Sequence, residues 1–141
     1  MKISTKVRYG MKALVYIADA SQNGKLARIK EISESEDISV QYLEQILFKL
    51  KNEKIIEGKR GPNGGYKLSV NPEDITLHDL YKILEEEVKV IDCNENNKDK
   101  NCTCVEDKCS TMCIWSKLDM AMTKILEDTT LAELIKNKDM I

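Results

Sequence analysis

The stretch Asp37–Leu68, DISVQYLEQILFKLKNEKIIEGKRGPNGGYKL, decides the fold of this chain. Its first half has apolar residues at i, i+3, i+6, i+7 and i+10, the spacing of one face of an α-helix. These residues are Val40, Leu43, Ile46, Leu47 and Leu50. Ser39 stands where an N-cap residue is expected. The pattern predicts a helix that buries one face and exposes hydrogen-bonding groups on the other.

The second half of the stretch changes to a strand-like period. Residues 54–58 read KIIEG, residues 59–65 read KRGPNGG and residues 66–70 read YKLSV. The outer segments predict two strands, and the Gly-rich segment between them predicts a turn with two cations. A helix followed by a basic hairpin is typical of a winged helix-turn-helix, in which the helix enters a major groove and the hairpin contacts the DNA backbone or minor groove.

Further helices are predicted on both sides of this stretch, and Thr76-x-x-Asp79 and Thr130-x-x-Glu133 are capping patterns for two of them. The additional helices cover residues 5–21, 27–35, 76–86, 110–127 and 130–137. The predicted fold class is mainly α with a small β-hairpin wing, a winged helix-turn-helix domain plus a long dimerisation helix. We expect residues 1–72 to form the DNA-binding domain and residues 73–141 to hold a cysteine loop and the dimerisation helices.

The helix predicted over residues 110–127 carries an apolar stripe that one small domain does not obviously cover. The stripe consists of Ile114, Leu118, Met122, Ile125 and Leu126. It can pack on the first helix of the same chain, or two copies of it can cross in a dimer. We favour the homodimer, because a helix-turn-helix monomer touches few bases whereas a two-fold dimer reads two half-sites.

The charge of the chain is unevenly distributed. The formal net charge is -2, yet residues 1–72 hold 13 Lys and Arg against 8 Asp and Glu, while residues 73–141 hold 9 against 16. The cationic half contains the helix and the hairpin, which indicates double-stranded promoter DNA as the partner. No apolar run is long enough to span a bilayer, and the N-terminal residues do not resemble a signal peptide. We therefore expect a cytoplasmic protein with no membrane partner.

The candidate DNA contacts lie on the polar face of the third helix and on the hairpin. Tyr42, Glu44 and Gln45 are near the N-terminal end of that helix, where side chains usually meet base edges. Gln pairs with adenine and Glu accepts from cytosine, whereas cations bind phosphates without reading sequence. The predicted DNA-binding set is Arg28, Ser39, Gln41, Tyr42, Glu44, Gln45, Lys49, Lys59, Arg60 and Asn63, with Lys51 a further phosphate contact. The alternative is an ordinary solvated helix face.

All five cysteines lie in the second half of the chain, at Cys93, Cys102, Cys104, Cys109 and Cys113. In a chain without an export signal, this cluster indicates a metal or redox site rather than structural disulfides. Four thiolates bind a [2Fe–2S] or [4Fe–4S] cluster, and zinc accepts the same ligands. We favour the iron–sulfur cluster; the alternatives are zinc, a metal-free thiol switch and inert thiols.

An enzyme is not expected. The chain has one histidine, His78, which is far from the cysteines in sequence, and no nucleophile constellation can be assembled around it. A small iron–sulfur electron carrier or a zinc enzyme is the alternative from another class. That alternative lacks a second redox site and leaves the basic hairpin without a role.

Four segments together resemble the Rrf2 family of bacterial transcriptional regulators. They are MKISTKVRYG at the start, SVQYLEQIL at 39–47, RGPNGGY at 60–66, and the late pattern Cys109-x5-Trp115-x10-Leu126-x3-Thr130-Leu131-x2-Leu134. The resemblance covers nearly the whole chain. It implies a homodimeric winged-helix regulator that dimerises through the long late helix. In cluster-binding members of the family, the ligands come from the loop before that helix.

The resemblance also implies a ligand set, because the chain looks most similar to the iron–sulfur cluster regulators and the cysteine-metabolism repressors of the family. Cys93 and Cys109 match the first and third family cysteines, and Met112 stands where the cluster regulators have a histidine. The implied ligands of a [2Fe–2S] cluster are Cys93, Cys104, Cys109 and Cys113, with Cys102 as the alternative to Cys104. The repressor branch implies instead a metal-free cysteine- or redox-responsive repressor that acts with a partner enzyme.

Overall fold

The computed structural model describes residues 3–85, Val88, Val90 and residues 110–138. This part of the chain contains six helices and one two-stranded antiparallel hairpin. The elements are α1 (Thr5–Gln22), α2 (Ile29–Glu36), α3 (Val40–Asn52), β1 (Ile56–Lys59), β2 (Gly65–Leu68), α4 (Leu77–Leu84), α5 (Met112–Asp128) and α6 (Leu131–Asn137). The predicted class, mainly α with a small β wing, is confirmed.

Helices α2 and α3 form the predicted helix-turn-helix. Asp37 adopts a left-handed conformation with φ 54° and ends α2, and Ile38 is buried in the turn. The Ser39 hydroxyl accepts a hydrogen bond of 3.3 Å from the Tyr42 amide and caps α3, as its position predicts. Four of the five predicted apolar positions on α3 are buried, and the fifth, Val40, is half-buried. The opposite face of α3 is thereby left in solvent.

The wing, residues 56–68, is tied to the start of α2. Its two strands pair from Ile56 opposite Leu68 to Lys59 opposite Gly65. Ala27 adds a bridge, since its amide donates to the Tyr66 carbonyl at 2.9 Å and its carbonyl accepts from the Tyr66 amide at 2.8 Å. The prediction that α2 begins at Ala27 is therefore wrong, because this backbone pairing holds Ala27 in an extended conformation.

Two glycines of the wing permit close backbone approach. A Cβ placed on Gly64 would lie 2.1 Å from the Lys59 carbonyl oxygen, and one on Gly65 would lie 2.7 Å from the Ala27 carbonyl oxygen. Both distances are far below van der Waals contact, so the tight turn requires residues without side chains. The glycines serve the hairpin itself, as the sequence predicts.

One cluster of buried side chains holds the helices together and draws on residues from both sides of position 72. Leu14 and Ile17 of α1, Leu80 and Leu84 of α4, and Leu131 of α6 all belong to it. The two predicted regions, 1–72 and 73–141, thus share one hydrophobic core. Helix α4 is thus packed into the same core as the helices that carry the predicted DNA contacts, and close-packed cores transmit displacement.

The start of α4 is joined by backbone hydrogen bonds to the α5–α6 junction. The Leu77 amide donates to the Thr129 carbonyl at 2.9 Å, and the Leu131 amide donates to the Ile75 carbonyl at 3.0 Å. Thr76 and Asp79 form the predicted capping box of α4. Thr130 precedes α6 as expected, but its side chain makes no capping hydrogen bond, so the second predicted capping pattern is wrong. The backbone of Thr130 is paired with Thr76 instead.

Helix α5 packs against α4 on one side and divides its predicted apolar stripe: Met122 and Leu126 are half-buried, Leu126 against the core, while the other three residues stay exposed. None of residues 112–128, all of which the structure describes, is buried. Ile114, Leu118 and Ile125 recur along one side of the helix and are exposed, Ile125 to 65 %. None of the helices in the described part of the chain could span a lipid bilayer.

Candidate nucleic-acid interface

The exposed side of α3 presents the polar side chains that the sequence predicts as base contacts. Gln41, Glu44 and Gln45, which we call the base-reading face, follow the helical spacing and are all exposed. Their amide and carboxylate groups suit adenine and cytosine edges. Ser39 is exposed at the same end of the helix, but its hydroxyl oxygen already accepts from the Tyr42 amide. Its O–H group can still donate a hydrogen bond to a phosphate.

Tyr42 stands apart from the other predicted DNA contacts. It is half-buried, and its ring meets the ring of Tyr9 edge-on, with centroids 5.9 Å apart and planes inclined by 84°. This geometry is the favoured T-shaped arrangement of aromatic pairs. Tyr42 therefore packs α3 onto α1, and only the remaining exposed part of the side chain is available to DNA.

Beside the base-reading face, the wing and the start of α2 enclose a basic cleft of about 630 Å³. Its cationic lining residues are Arg28, Lys30, Lys51, Lys59 and Arg60. No acidic side chain is among the described residues that line it. Such a cleft attracts phosphate, because like charges that converge without carboxylates make a strong local positive potential. Lys30 was not among the predicted contacts, since only the Ala27–Tyr66 pairing brings it beside the wing.

Arg28 joins the cleft to the tip of the wing. Its guanidinium donates a hydrogen bond of 3.1 Å to the carbonyl of Pro62, and its backbone amide donates to the Glu31 carboxylate at 3.2 Å. Asn63 follows Pro62 at the exposed tip. Arg28 therefore positions the wing in addition to carrying charge, and it keeps further N–H donors for a ligand.

Lys49 lies away from the cleft. Its ammonium group donates to the Leu84 carbonyl, at the C-terminal end of α4, over 3.4 Å. A cation at this position interacts favourably with the negative end of the α4 dipole. The structure thus connects Lys49 to α4, whereas Arg28, Lys59, Arg60 and the unpredicted Lys30 converge on the cleft.

Of the candidate cluster ligands, the structure describes Cys113 alone. Cys113 is exposed in the first turn of α5, whereas Cys93, Cys102, Cys104 and Cys109 lie outside the described residues. Next to these residues, the Val90 amide donates to the Asp119 carboxylate and so ties the chain after α4 to α5. His78 faces Glu127 of α5 at 3.7 Å, so its role is in the α4–α5 contact.

Lys51 links the base-reading face to the basic cleft, because it lies on α3 seven residues after Glu44, on the same side of the helix, and also lines the cleft. Hydrogen-bonding side chains on α3 stand next to cations on the wing and on α2, and both groups are exposed. Base contacts give specificity and phosphate contacts give position and affinity. In a winged helix-turn-helix, the second helix of the motif supplies the base contacts and the wing supplies backbone contacts, and the described residues have side chains suited to both.

Sequence comparison identifies the relatives of this chain. The profile of the Rrf2 family, described as iron-dependent transcriptional regulators, matches residues 3–137. The regulator IscR of Cereibacter sphaeroides is 35% identical over 139 residues, which cover 98% of this chain and 89% of IscR. The regulator NsrR of Bacillus subtilis is 29% identical over 139 residues, covering 99% of this chain and 93% of NsrR.

Solved structures agree with the sequence comparison. CymR, the global cysteine regulator of B. subtilis, superimposes with a TM-score of 0.78 at 28% identity, covering 96% of this chain and 97% of CymR. IscR of T. potens superimposes with a TM-score of 0.77 at 28% identity, covering 98% and 88% of the two chains. Each of these proteins shares the winged-helix architecture described above. The chain therefore belongs to the Rrf2 family of transcriptional regulators, which bind DNA and are typically dimers.

Proposed function

We propose that this chain is a homodimeric, sequence-specific transcriptional regulator whose binding to promoter DNA is controlled by an iron–sulfur cluster. The protein acts where the bacterial chromosome lies, in the cytoplasm. Residues 1–72 bind DNA, and residues 73–141 provide the cysteine loop and the dimer contacts. The contacts to bases come from Gln41, Glu44 and Gln45, and the contacts to phosphates come from the basic cleft.

The observation that supports this proposal most strongly is the position of the basic cleft beside the base-reading face. Arg28 directly precedes α2, Lys30 and Lys51 lie on α2 and α3, and Lys59 and Arg60 come from the wing, yet all line one cleft. Every cation that neutralises a phosphate releases counterions and adds salt-dependent affinity. Exposed hydrogen-bonding side chains together with a cleft of cations are the two kinds of group that sequence-specific DNA binding requires.

Dimerisation through α5 completes the molecule. Ile114, Leu118 and Ile125 are exposed on one side of α5, while the side that carries Asp119 and Glu127 faces the chain after α4 and α4 itself. The uncovered side has the spacing i, i+4 and i+11 of a helix–helix seam. A second copy of α5 buries this seam and places two α3 helices on one face of a duplex.

The donor chemistry of the chain fits an iron–sulfur cluster. Thiolates are the ligands of such clusters, and Cys113 presents an exposed sulfur at the first turn of α5. We assign the ligands to Cys93, Cys104, Cys109 and Cys113, with Cys102 as the alternative to Cys104. A bound [2Fe–2S] cluster supplies a one-electron redox centre that forms only when iron and sulfide are available.

The contacts of α5 provide the path by which the cysteine region influences DNA binding. Asp119 of α5 holds the Val90 amide, and Glu127 faces His78 of α4. Lys49 of α3 in turn binds the carbonyl at the end of α4. A change in the position of α5 therefore displaces α4 and, through Lys49 and the shared core, tilts α3.

Anaerobic purification tests the cluster directly. We expect a brown protein that contains iron and sulfide in equal amounts. Cys109→Ser and Cys113→Ser should remove most of the visible absorption, whereas Met112→Leu, the matched control beside Cys113, should retain it. Colourless, iron-free protein after anaerobic purification would contradict cluster control.

DNA binding is tested separately, by selecting duplexes from a random library with the full-length protein. We expect enrichment of a two-fold symmetric site, and loss of that enrichment in the double variant Glu44→Ala, Gln45→Ala. The double variant Glu34→Ala, Glu36→Ala on α2 is the control and should enrich the same site. A protein that enriches no duplex at low salt is not the regulator proposed here.

A second candidate function is a metal-free cysteine- or redox-responsive repressor that acts with a partner enzyme. It is favoured by the likeness to CymR of Staphylococcus aureus, solved in an oxidized form, with 31% identity and a TM-score of 0.75 over 96% of each chain. The exposed thiol of Cys113 is accessible to an oxidant. This candidate predicts DNA affinity that changes with thiol oxidation in iron-free protein, and an enzyme that co-purifies with the regulator.

A further inference from the structure

One apolar side chain interrupts the polar surface that faces DNA. Phe48 is 65 % exposed and lies on α3 four residues after Glu44 and seven after Gln41. These intervals place it on the same side of the helix as the base-reading face, about one turn nearer the C-terminal end. Unlike Gln41, Glu44 and Gln45, a phenyl ring has no polar group with which to hydrogen-bond to a base edge.

The surroundings of Phe48 distinguish it from the other exposed apolar residues. Among the described residues, five of the seven large hydrophobic side chains that are exposed lie on α5, and Ile3 precedes α1. Phe48 alone lies on the surface formed by α2, α3 and the wing. It is therefore not part of the apolar seam of α5, and a second α5 helix does not account for it.

Within a major groove, only one base offers an apolar group, the C5-methyl of thymine. We propose that Phe48 is a specificity-determining residue that contacts a thymine methyl in each half-site of the operator. This inference rests on the proposed function, because it requires α3 to occupy a major groove. The ring loses exposed surface against the methyl, and the neighbouring polar side chains read the adjacent base pairs.

The helix geometry limits where this thymine lies. Phe48 is displaced from Glu44 by four residues, a rise of about 6 Å along α3. Successive base pairs are about 3.4 Å apart. The thymine is therefore expected within about three base pairs of the position that Glu44 reads. The position read by Glu44 is the one whose base preference disappears in duplexes selected with Glu44→Ala.

The test uses the duplex that wild-type protein enriches from a random library. Each thymine in it is replaced in turn by deoxyuridine, which removes the methyl and keeps the pairing. Burial of one methyl group corresponds to about a fourfold change in affinity. We expect about fourfold weaker binding for the replacement in one half-site and about sixteenfold for both. Phe48→Ala should bind the thymine and deoxyuridine duplexes equally well.

Two further variants make the result specific. Phe48→Leu keeps an apolar side chain and should retain part of the discrimination. Ile3→Ala removes an exposed apolar residue outside α3 and should retain all of it. Circular dichroism melting of each variant shows whether it is folded, and the deoxyuridine scan with wild-type protein is informative even where a variant is unstable.

The outcomes separate this inference from the proposed function. Equal discrimination by wild type and Phe48→Ala, or no thymine sensitive to deoxyuridine near the Glu44 position, overturns the role of Phe48 and leaves the regulator intact. Failure of wild-type protein to enrich any duplex overturns both. Loss of discrimination in Phe48→Ala alone, with Ile3→Ala unchanged, supports the thymine contact.

Discussion

Helices α3 and α5 have similar apolar patterns, but the chain buries the apolar face of α3 and leaves part of that of α5 exposed. Leu43, Ile46, Leu47 and Leu50 of α3 are buried by contacts within the chain, and the polar face that remains is available to DNA. On α5, none of the residues 112–128 is buried. An amphipathic pattern therefore predicts that one face of a helix will be buried. Whether the same chain or another chain buries it depends on the rest of the fold.

The difference separates the molecule into a part that is complete in one chain and a part that is not. The wing, α2 and α3 have capping, pairing and core contacts of their own. Helix α5 has hydrogen bonds to its neighbours but an uncovered seam.

The largest effect is expected for a charge placed in the α5 seam. Ile125→Glu puts a carboxylate where a second copy would bury an apolar side chain, and desolvation of that charge opposes association. We expect dimer dissociation to be favoured by at least about a hundredfold. Analytical ultracentrifugation measures this change, and operator binding should fall with it.

The matched control is Met120→Glu, which makes the same substitution on the opposite side of α5, at a residue that is 72 % exposed. It should remain a dimer. If both variants dissociate, or if neither does, the seam of Ile114, Leu118 and Ile125 is not the dimer contact.

The second prediction concerns the wing, whose structure is held by contacts within one chain. In Gly64→Ala, the new Cβ would collide with the Lys59 carbonyl oxygen, so the turn must rearrange. We expect about 2 kcal/mol lower stability and about tenfold weaker DNA binding. Gly58→Ala is the control for stability, because its Cβ would meet the Tyr66 ring at an ordinary 3.4 Å and the Lys51 ammonium at 3.5 Å. Thermal melting and fluorescence anisotropy distinguish the two.

The third prediction separates phosphate contacts, which we assign to the basic cleft, from base contacts, which we assign to α3. Arg60→Ala removes one phosphate contact, so binding should weaken to a similar extent for all sequences, and the slope of log affinity against log salt should flatten by about one unit. Lys49→Ala should leave the slope nearly unchanged, since its ammonium binds the Leu84 carbonyl. Equal slopes for Arg60→Ala and wild type would remove Arg60 from the interface.

The smallest effect is expected at the joint between the two regions. The hydrogen bond from Thr76 holds the pKa of Asp79 below its ordinary value of 3.8. The ionised carboxylate therefore contributes stability above that value, and the contribution disappears as the pH falls through the lowered pKa. Asp79→Asn should cost about 1 kcal/mol at neutral pH, the typical worth of a helix cap, and progressively less in acid. Urea titrations of wild type and Asp79→Asn at several pH values measure this difference.

Local patterns in the sequence were sufficient to predict most of the fold. The stripe and cap of α3, the Gly-rich turn of the wing and the capping box at Thr76 each depend on residues within a few positions of one another. Errors arose where a distant segment competes for the same backbone. Ala27 pairs with Tyr66 instead of opening α2, and Thr130 pairs with Thr76 instead of capping α6 by its side chain.

The site was predictable to a similar degree. Residue type and helical spacing predict Gln41, Glu44 and Gln45 as base contacts, and the structure leaves all three side chains exposed, as that role requires. The cleft was only partly foreseen, because Lys30 joins it through the folding of α2 against the wing. The partners of Tyr42 and Lys49, on α1 and at the end of α4, are non-local in sequence.

The uncovered seam of α5 has a consequence for how such a regulator responds to its own abundance. If only the dimer binds DNA, then at low protein concentration the occupied fraction of operators rises with the square of the number of chains per cell. Modest changes in synthesis or degradation are thereby amplified. Under this condition, a cell that halves its supply of the protein loses about three quarters of its operator occupancy.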